Sequence, residues 1–423
     1  MESTMGINFY GLTGLETGLG EAARNNIEAL RRSGLLVNEI DISASAYNEV
    51  QTPEDTINII QINPDNLDSF YERYAHNVSQ GSYNIAFWAW ETEEFPEEDL
   101  KYFTYFDEIW TPSGYCQNVI SKKSPVPVLN MPHAIPVEER SDGSEYLRRK
   151  VLGTRENTFI FSFFFDYKSQ IIRKNVLGVI ESFRKAFGSN AANVSLLLKT
   201  YPSEHHLHEK AIIEEKIGND PSIVLFEESL ERSELQDLLG ITDCYVSLHR
   251  SEGFGLTMAE AMAVGKPVIA TAYSGNMEYM NVNNALLVKY KMTTLTKAVG
   301  PFPIGSVWAD PDLDHAAVLM RRVYAREFSE QEITTAAKAQ IQGSHNLSRV
   351  GQLMSNRITL ITRMLQTRTR SNFEQETLLL RIENDLLNTK LNKIRNISFV
   401  KLKLKFKNLK NRLTGKNRKY MWE

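Results

Sequence analysis

Two acids, Glu252 and Glu260, stand eight residues apart in the stretch Ser251-Glu252-Gly253-Phe254-Gly255-Leu256-Thr257-Met258-Ala259-Glu260. The apolar run Cys244 to Leu248 before them reads as a buried strand, and from Leu256 onward the residues favour helix. The acids therefore bracket a strand-to-helix turn. Gly253 and Gly255 permit positive φ or close backbone approach of a ligand, and the new helix brings unpaired N–H groups and a positive dipole end. Glu252 falls in the turn and Glu260 about a turn inside the helix, so both carboxylates can face one pocket. Such a place suits an anionic, hydroxyl-rich ligand. Solvated acids at a helix start are the plainer account of a lone pair. Here the Gly-Phe-Gly frame and a second strand signal, Pro267 to Thr271, favour a site.

Two cations offer the counter-charge. Arg173 and Lys174 end a polar segment that follows the apolar run 159–165 and precedes a helical run, 176–187, where they can neutralise a diphosphate together with the helix dipole. Near the N-terminus, Gly11, Gly14, Gly18 and Gly20 lie between a short strand, 7–10, and a helical run, 21–30. Gly18-x-Gly20-x-x-Ala23, with Glu39 or Asp41 downstream, also matches the dinucleotide fingerprint, so an NAD-dependent dehydrogenase is one alternative. Against it, the segment from Tyr10 to Gly18 is too long for a turn that should follow its strand directly. Trp88, Trp90 and Glu91 end another strand candidate and are acceptor-side candidates, although the two tryptophans suit core packing equally. His205, His206 and His208 have no companion carboxylate or cysteine signature, so no metal site is expected.

The elements that must position these groups alternate along the chain. Strand candidates at 35–42, 56–62, 83–90, 106–113 and 126–135 alternate with helical runs and predict a parallel sheet within residues 1–136. Residues 137–157 are polar and form the expected linker. Residues 158–366 repeat the alternation, with strands near 159–165, 194–200, 222–226, 244–248 and 267–271. The fold class is α/β with two doubly wound Rossmann-like domains. Residues 367–423 differ. Leu379, Ile382, Leu386, Leu387, Leu391 and Ile394 recur near helical spacing, and residues 401–419 interleave Lys and Arg with apolar side chains. That pattern fits a peripheral anchor to anionic lipid or a solvated end.

At 423 residues with a formal net charge of −4, the chain can hold two cores and has no basic bias towards nucleic acid. Its 2 cysteines, Cys116 and Cys244, lie far apart in apolar settings, so no disulfide framework is expected. Met1 to Met5 has neither a basic nor an apolar leader, and no apolar run reaches bilayer-spanning length. The expectation is a cytoplasmic protein whose membrane contact, if any, is peripheral.

The run from Glu252 through Glu260, with Gly265-Lys266-Pro267-Val268-Ile269-Ala270-Thr271 and Ser274-Gly275-Asn276-Met277-Glu278 after it, closely resembles the E-x7-E donor-site signature of family 4 retaining glycosyltransferases of the GT-B fold. The likeness spans about Asn8 to Gln366. It implies an acceptor-side domain and a donor domain facing across a cleft, and transfer of a sugar from a nucleotide-sugar to a hydroxyl acceptor with retention, in polysaccharide or glycan biosynthesis. It further implies that Glu260 holds the ribose hydroxyls, Glu252 the donor sugar, and Lys174 and Arg173 the leaving diphosphate. Gly253, Phe254, Gly255, Leu256 and Asn276, with Gly18, Leu19 and Gly20 from across the cleft, would line the donor. The resemblance implies no metal or other cofactor, and as partners a nucleotide-sugar and a glycan or lipid-linked acceptor. Many relatives carry a histidine near the reacting centre, whereas none stands between Asn84 and Pro96 here. A non-catalytic scaffold of the same fold is the second alternative.

Overall fold

The computed structural model describes residues 6–44, 56–79, 82–136, 144–153, 158–202, 204–367, 377–393, 403 and 405. Short apolar runs form the first sheet: β1 (Ile7–Gly11), β2 (Val37–Asp41), β3 (Ile57–Gln61), β4 (Tyr83–Phe87), β5 (Glu108–Thr111) and β6 (Val128–Asn130). They pair in parallel in the order β2-β1-β3-β4-β5-β6. β1, β3 and β4 are buried along their whole length, as a parallel sheet covered on both faces requires. Helices α1 (Gly18–Arg32), α2 (Leu67–Ser79) and α3 (Gly114–Ser121) cross between strands.

The second sheet holds β7 (Phe159–Phe164), β8 (Val194–Thr200), β9 (Ile223–Glu227), β10 (Cys244–Ser247), β11 (Val268–Thr271) and β12 (Leu286–Val288), ordered β12-β11-β10-β7-β8-β9. Its helices are α4 (Ser144–Leu152), α5 (Ile171–Lys174), α6 (Val176–Phe187), α7 (Leu207–Ile217), α8 (Arg232–Ile241), α9 (Leu256–Ala263), α10 (Leu313–Tyr324) and α11 (Glu330–Ser344). A hairpin of β13 (Tyr290–Thr294) and β14 (Val307–Pro311) is appended.

Three expected boundaries are drawn differently in the structure. The linker, 137–157, contains α4, whose Leu147 and Val151 join the second core, while the Arg148 guanidinium donates to Thr158 O at 2.7 Å. The helix α12 (Leu347–Thr367), read as part of the second domain, packs along α1 of the first. Leu347, Val350, Met354, Ile358 and Ile361 recur every three or four residues and bury with Phe9, Ile27 and Leu30, so the amphipathic stripe carries the chain back across. Arg357 of α12 seals the return by pairing with Glu108, which is wholly buried in β5. The third lies in the strand read at 83–90, which stops at Phe87 so that Trp88 to Trp90 run on past the sheet.

Residues 377–393 form a further helix, α13. Ile382 is buried against the first core, with Leu378 and Leu386 beside it, and Tyr105 Oη donates to Asp385 at 2.6 Å. Ile394 and most of the basic run 401–419 lie outside the described residues. No helix among the described residues is long and apolar enough to cross a membrane.

Candidate active site

Each sheet reverses its strand order once, beside β1 in the first and beside β7 in the second, and open α/β sheets bind ligands in the crevices at such points. In the second sheet that crevice lies between the ends of β7 and β10, which carry the basic segment and the first acid. After β10 the chain turns into α9 through Gly255, whose φ of +85° lies in the left-handed region that favours glycine. The turn packs backbone against backbone: a Cβ on Gly275 would stand 2.0 Å from Gly253 O. Tyr279 Oη donates to Gly255 O at 2.6 Å. Phe254 is buried between the rings of His133 and His345, at 5.3 and 5.6 Å, while Leu256 opens the helix. Burial drives both histidines towards the neutral form, with pKa values of about 3 and about 4.

The charges gather at this turn. Lys174 Nζ lies 2.5 Å from Glu252 Oε1, and an Arg173 guanidinium nitrogen lies 3.5 Å from Oε2. Arg173 also donates to Ser251 O at 2.8 Å and reaches Glu91 of the first domain at 3.7 Å. Asn175 aims these cations. Its left-handed backbone, φ 56°, stops α5, and its side chain donates to Leu248 O at 2.9 Å. Burial alone would raise the pKa of Glu252, but Lys174, then Arg173, outweigh it and hold the value at about 2. For Glu91 burial prevails over Arg173 and the pKa is raised.

Glu260 lies further along α9, buried, with the Arg232 guanidinium at 2.6 Å. The same guanidinium stands 3.2 Å from Glu21 in the first turn of α1, so one arginine bridges the domains. Burial raises the pKa of Glu260 in spite of Arg232. Gly18, Leu19 and Gly20, expected in a loop, form the first turn of α1, where Thr17 Oγ1 accepts from Gly20 N at 3.2 Å. A Cβ on Gly20 would meet Leu15 O at 2.2 Å, whereas Gly18 faces open space.

Other candidates turn inward. Trp88 is wholly buried, stacked on Phe95 at 5.8 Å. Trp90 donates its indole N–H to Thr92 and to Glu94 O, both at 2.8 Å, and its ring meets Phe302 of the second domain. Asn276 is buried too, its amide donating to Thr271 O at 2.9 Å and its oxygen 3.1 Å from His249 Nε2. Of the acceptor-side candidates, only Glu91 joins the charged cluster. The dinucleotide fingerprint does not form, because residues 12–17 separate β1 from α1 while Glu39 pairs with Arg31 and Asp41 caps Ser43. The His206 ring stacks on Tyr167. Among the described residues no group of three or more His, Cys, Asp or Glu could hold a metal ion.

Sequence reasoning missed the groups that fasten the two domains together here. Ser113 caps α3 and donates to Gly253 O at 2.6 Å. Glu278 accepts from Gly114 N and from the Asn130 amide, both at 2.7 Å. A Cβ on Gly253 would come within 2.9 Å of Ala89 Cβ. Glu278 carried a sequence signal, as the acid that ends the run after Ser274; Arg232 carried none, and Ser113 none for its reach to the other domain, since these partners lie far along the chain.

A glycosyltransferase from Rickettsia africae superposes with a TM-score of 0.63 at 14% identity, covering 87% of this chain and 100% of its own. Sucrose-phosphate synthase from Thermosynechococcus elongatus gives 0.62 at 14% identity, over 85% of this chain and 100% of its own. HepE from Anabaena, solved with UDP and glucose, gives 0.60 at 14% identity, over 84% and 99%. No curated protein matches the chain in sequence. The two facing parallel sheets with returning C-terminal helices are the GT-B fold. Residues 162–299, which include Arg173, Lys174, Glu252 and Glu260, match the family of glycosyl transferases group 1.

Proposed function

We propose that this chain is a family 4 glycosyltransferase that moves a sugar from a nucleotide-sugar to a hydroxyl acceptor with retention of anomeric configuration. The observation that carries the reading is the pairing of Lys174 and Arg173 with Glu252 in the turn before α9, with Glu260 inside that helix and the N-terminus of α1 opposite. Glu260 accepts hydrogen bonds from the ribose hydroxyls, and Glu252 from hydroxyls of the donor sugar. The diphosphate lies against Lys174 and Arg173 and the open N–H groups at Gly18 and Leu19. As the bond to the anomeric carbon breaks, negative charge grows on the leaving phosphate, and cations fixed beforehand stabilise it at no further cost in reorganisation. Glu91 faces the same point from the first domain and positions the acceptor hydroxyl. The match to glycosyl transferases group 1 and the likeness to HepE, solved with UDP and glucose, support a nucleotide-sugar donor.

The reading extends to a metal-independent enzyme of glycan or polysaccharide biosynthesis in the cytoplasm, using a glycan or lipid-linked acceptor. Its basic C-terminal segment would rest on an anionic membrane face. The test is a panel of nucleotide-sugars scored for transfer and hydrolysis. Glu260→Ala is expected to weaken donor binding at least tenfold, about the weight of a charged hydrogen bond, and Lys174→Ala to lower turnover. Unchanged transfer by both variants would overturn the assignment.

A further inference from the structure

The short helix α5 carries both cations of the site, yet it has little of its own to hold it. A single helical turn is marginal in water. Of its two apolar side chains Ile171 is buried in the second core, whereas Ile172 is 45% exposed. Its start is also conformationally costly. Gln170 has φ 64° and ψ 103°, outside the left-handed well that Asn175 fills at the other end, and such a residue persists only where its surroundings hold it. Its carbonyl accepts from Lys174 N at 3.0 Å, so the conformation of Gln170 sets where the turn points.

The hairpin of β13 and β14 is what bears on it. Val299 and Phe302 exchange backbone hydrogen bonds of 2.9 and 3.0 Å across the tight turn Gly300-Pro301, and with Leu295 and Trp308 they form a small core apart from the two sheets. One side of this tip lies on Gln170. Gly300, with φ +55°, comes so close that a Cβ there would stand 2.6 Å from the Gln170 amide nitrogen. The other side meets the first domain, where the Phe302 ring packs edge-on against Trp90 at 6.1 Å. Further back, Ala309 N of β14 donates to Arg250 O at 2.9 Å and Arg250 N to Arg173 O at 2.8 Å, so the hairpin also reaches the far end of α5. Trp90 adjoins Glu91, which itself reaches Arg173. One surface of the first domain thus touches α5 both directly and through the tip.

We propose that Gln170 and Phe302 are positioning residues for the leaving-group cations: with Phe302 seated on Trp90, the tip bears on Gln170 and keeps α5 aimed at the turn that holds Glu252. This rests on the transferase reading above. The aim of Lys174 and Arg173 then depends on contact between the domains, so the cations are set for the diphosphate only when the first domain is in place. A glutamine stands at a positive φ, where glycine would cost less, because its side chain is what the tip bears on.

Amide hydrogen exchange on the full chain reads the aim, and release of nucleoside diphosphate from UDP-glucose, UDP-N-acetylglucosamine, GDP-mannose and ADP-glucose reads its consequence. Gln170→Gly suits the backbone and is expected to keep the melting temperature. Its amides at 171–175 should nevertheless exchange about tenfold faster, and kcat should fall about tenfold or more with the donor KM within about threefold. Phe302→Ala is expected to do the same, and the double variant to lose no more than about twofold beyond either, because both act along one path. Gln170→Met keeps a side chain of similar reach and should recover most of the lost kcat. Unchanged exchange and kcat in Gln170→Gly, or a Gln170→Met variant as slow as Gln170→Gly, overturns the positioning role while leaving the transferase reading intact. No release from any of the four donors by the unsubstituted chain overturns that reading and the catalytic part of this one, whereas the exchange rates still decide whether the tip holds α5.

Discussion

Glu252 meets two cations in its pocket and Glu260 meets one that it shares with Glu21, although both acids are buried on the same short segment. Desolvation opposes the charge of each. At Glu252 the paired cations prevail and the carboxylate stays ionised to about pH 2, whereas at Glu260 burial prevails and the pKa rises. Local charge balance, rather than burial, separates the two acids. In the proposed reaction Glu252 would also serve as a counter-charge that keeps Lys174 and Arg173 in place until a diphosphate competes for them. Glu260 is less fully satisfied, which suits the proposed role of accepting from ribose hydroxyls.

Removing the cation at each end sharpens the contrast most. Lys174→Met takes away the charge nearest the proposed leaving group and is expected to lower kcat by about 10²–10³-fold, the range for loss of a fixed transition-state donor. Arg232→Met is expected to act mainly on the donor KM, with kcat within a few-fold, because it touches the ground-state partner of Glu260. Steady-state kinetics on the preferred donor decides this. Equal losses in kcat from both variants would erase the division of labour.

The fold class and half of this site were legible because local signals carry them. The alternation of apolar strands and helices needs no knowledge of distant contacts, and the Glu252 to Glu260 spacing lies within one turn and one helix. Lys174 was legible for a similar reason, standing just before a helix start. Arg232 was not, because its partnership with Glu260 arises only when the start of α8 is brought beside α9 by strand order. The reach of Arg232 to Glu21, of Ser113 to Gly253 O and of Glu278 to Gly114 N depends on how two domains meet, which no spacing encodes. Trp88 and Trp90 are the reverse case, in which the sequence left ligand contact and core packing equally open. Their place at a strand end suggested a ligand, but large aromatic rings also fill cores, and the partners Phe95, Phe103 and Phe302 come from other segments.

Replacing Glu252 tests the comparison through stability. Its pKa is depressed, so its contribution is fully present above the unfolded value of 4.5 and is lost as pH falls towards about 2. Glu252→Gln leaves Lys174 and Arg173 buried without their counter-charge. The expected loss at pH 7 is about 3 kcal/mol, the lower end for breaking a buried pair. Denaturant titration should show this gap closing as the buffer is taken from pH 5 towards pH 2. A gap independent of pH would mean that packing, not charge, was lost.

Glu260→Gln should give the smallest change and the opposite sign. The raised pKa means that the folded chain holds a proton on Glu260 where the unfolded chain has released it. The contribution of this acid is therefore most favourable below pH 4.5 and is lost as pH rises through the folded value. Glutamine keeps the shape and never ionises. Arg232 retains Glu21, and its side chain is 27% exposed, so water can compensate the missing partner. At pH 7 the variant should be as stable as the parent or more so, by up to about 1 kcal/mol, while donor affinity falls, as expected where a binding group is kept at a cost in stability. Urea midpoints at pH 4 and pH 7 check it: the variant's advantage should shrink on acidification, and a clear loss of stability at pH 7 would place Glu260 in the same class as Glu252.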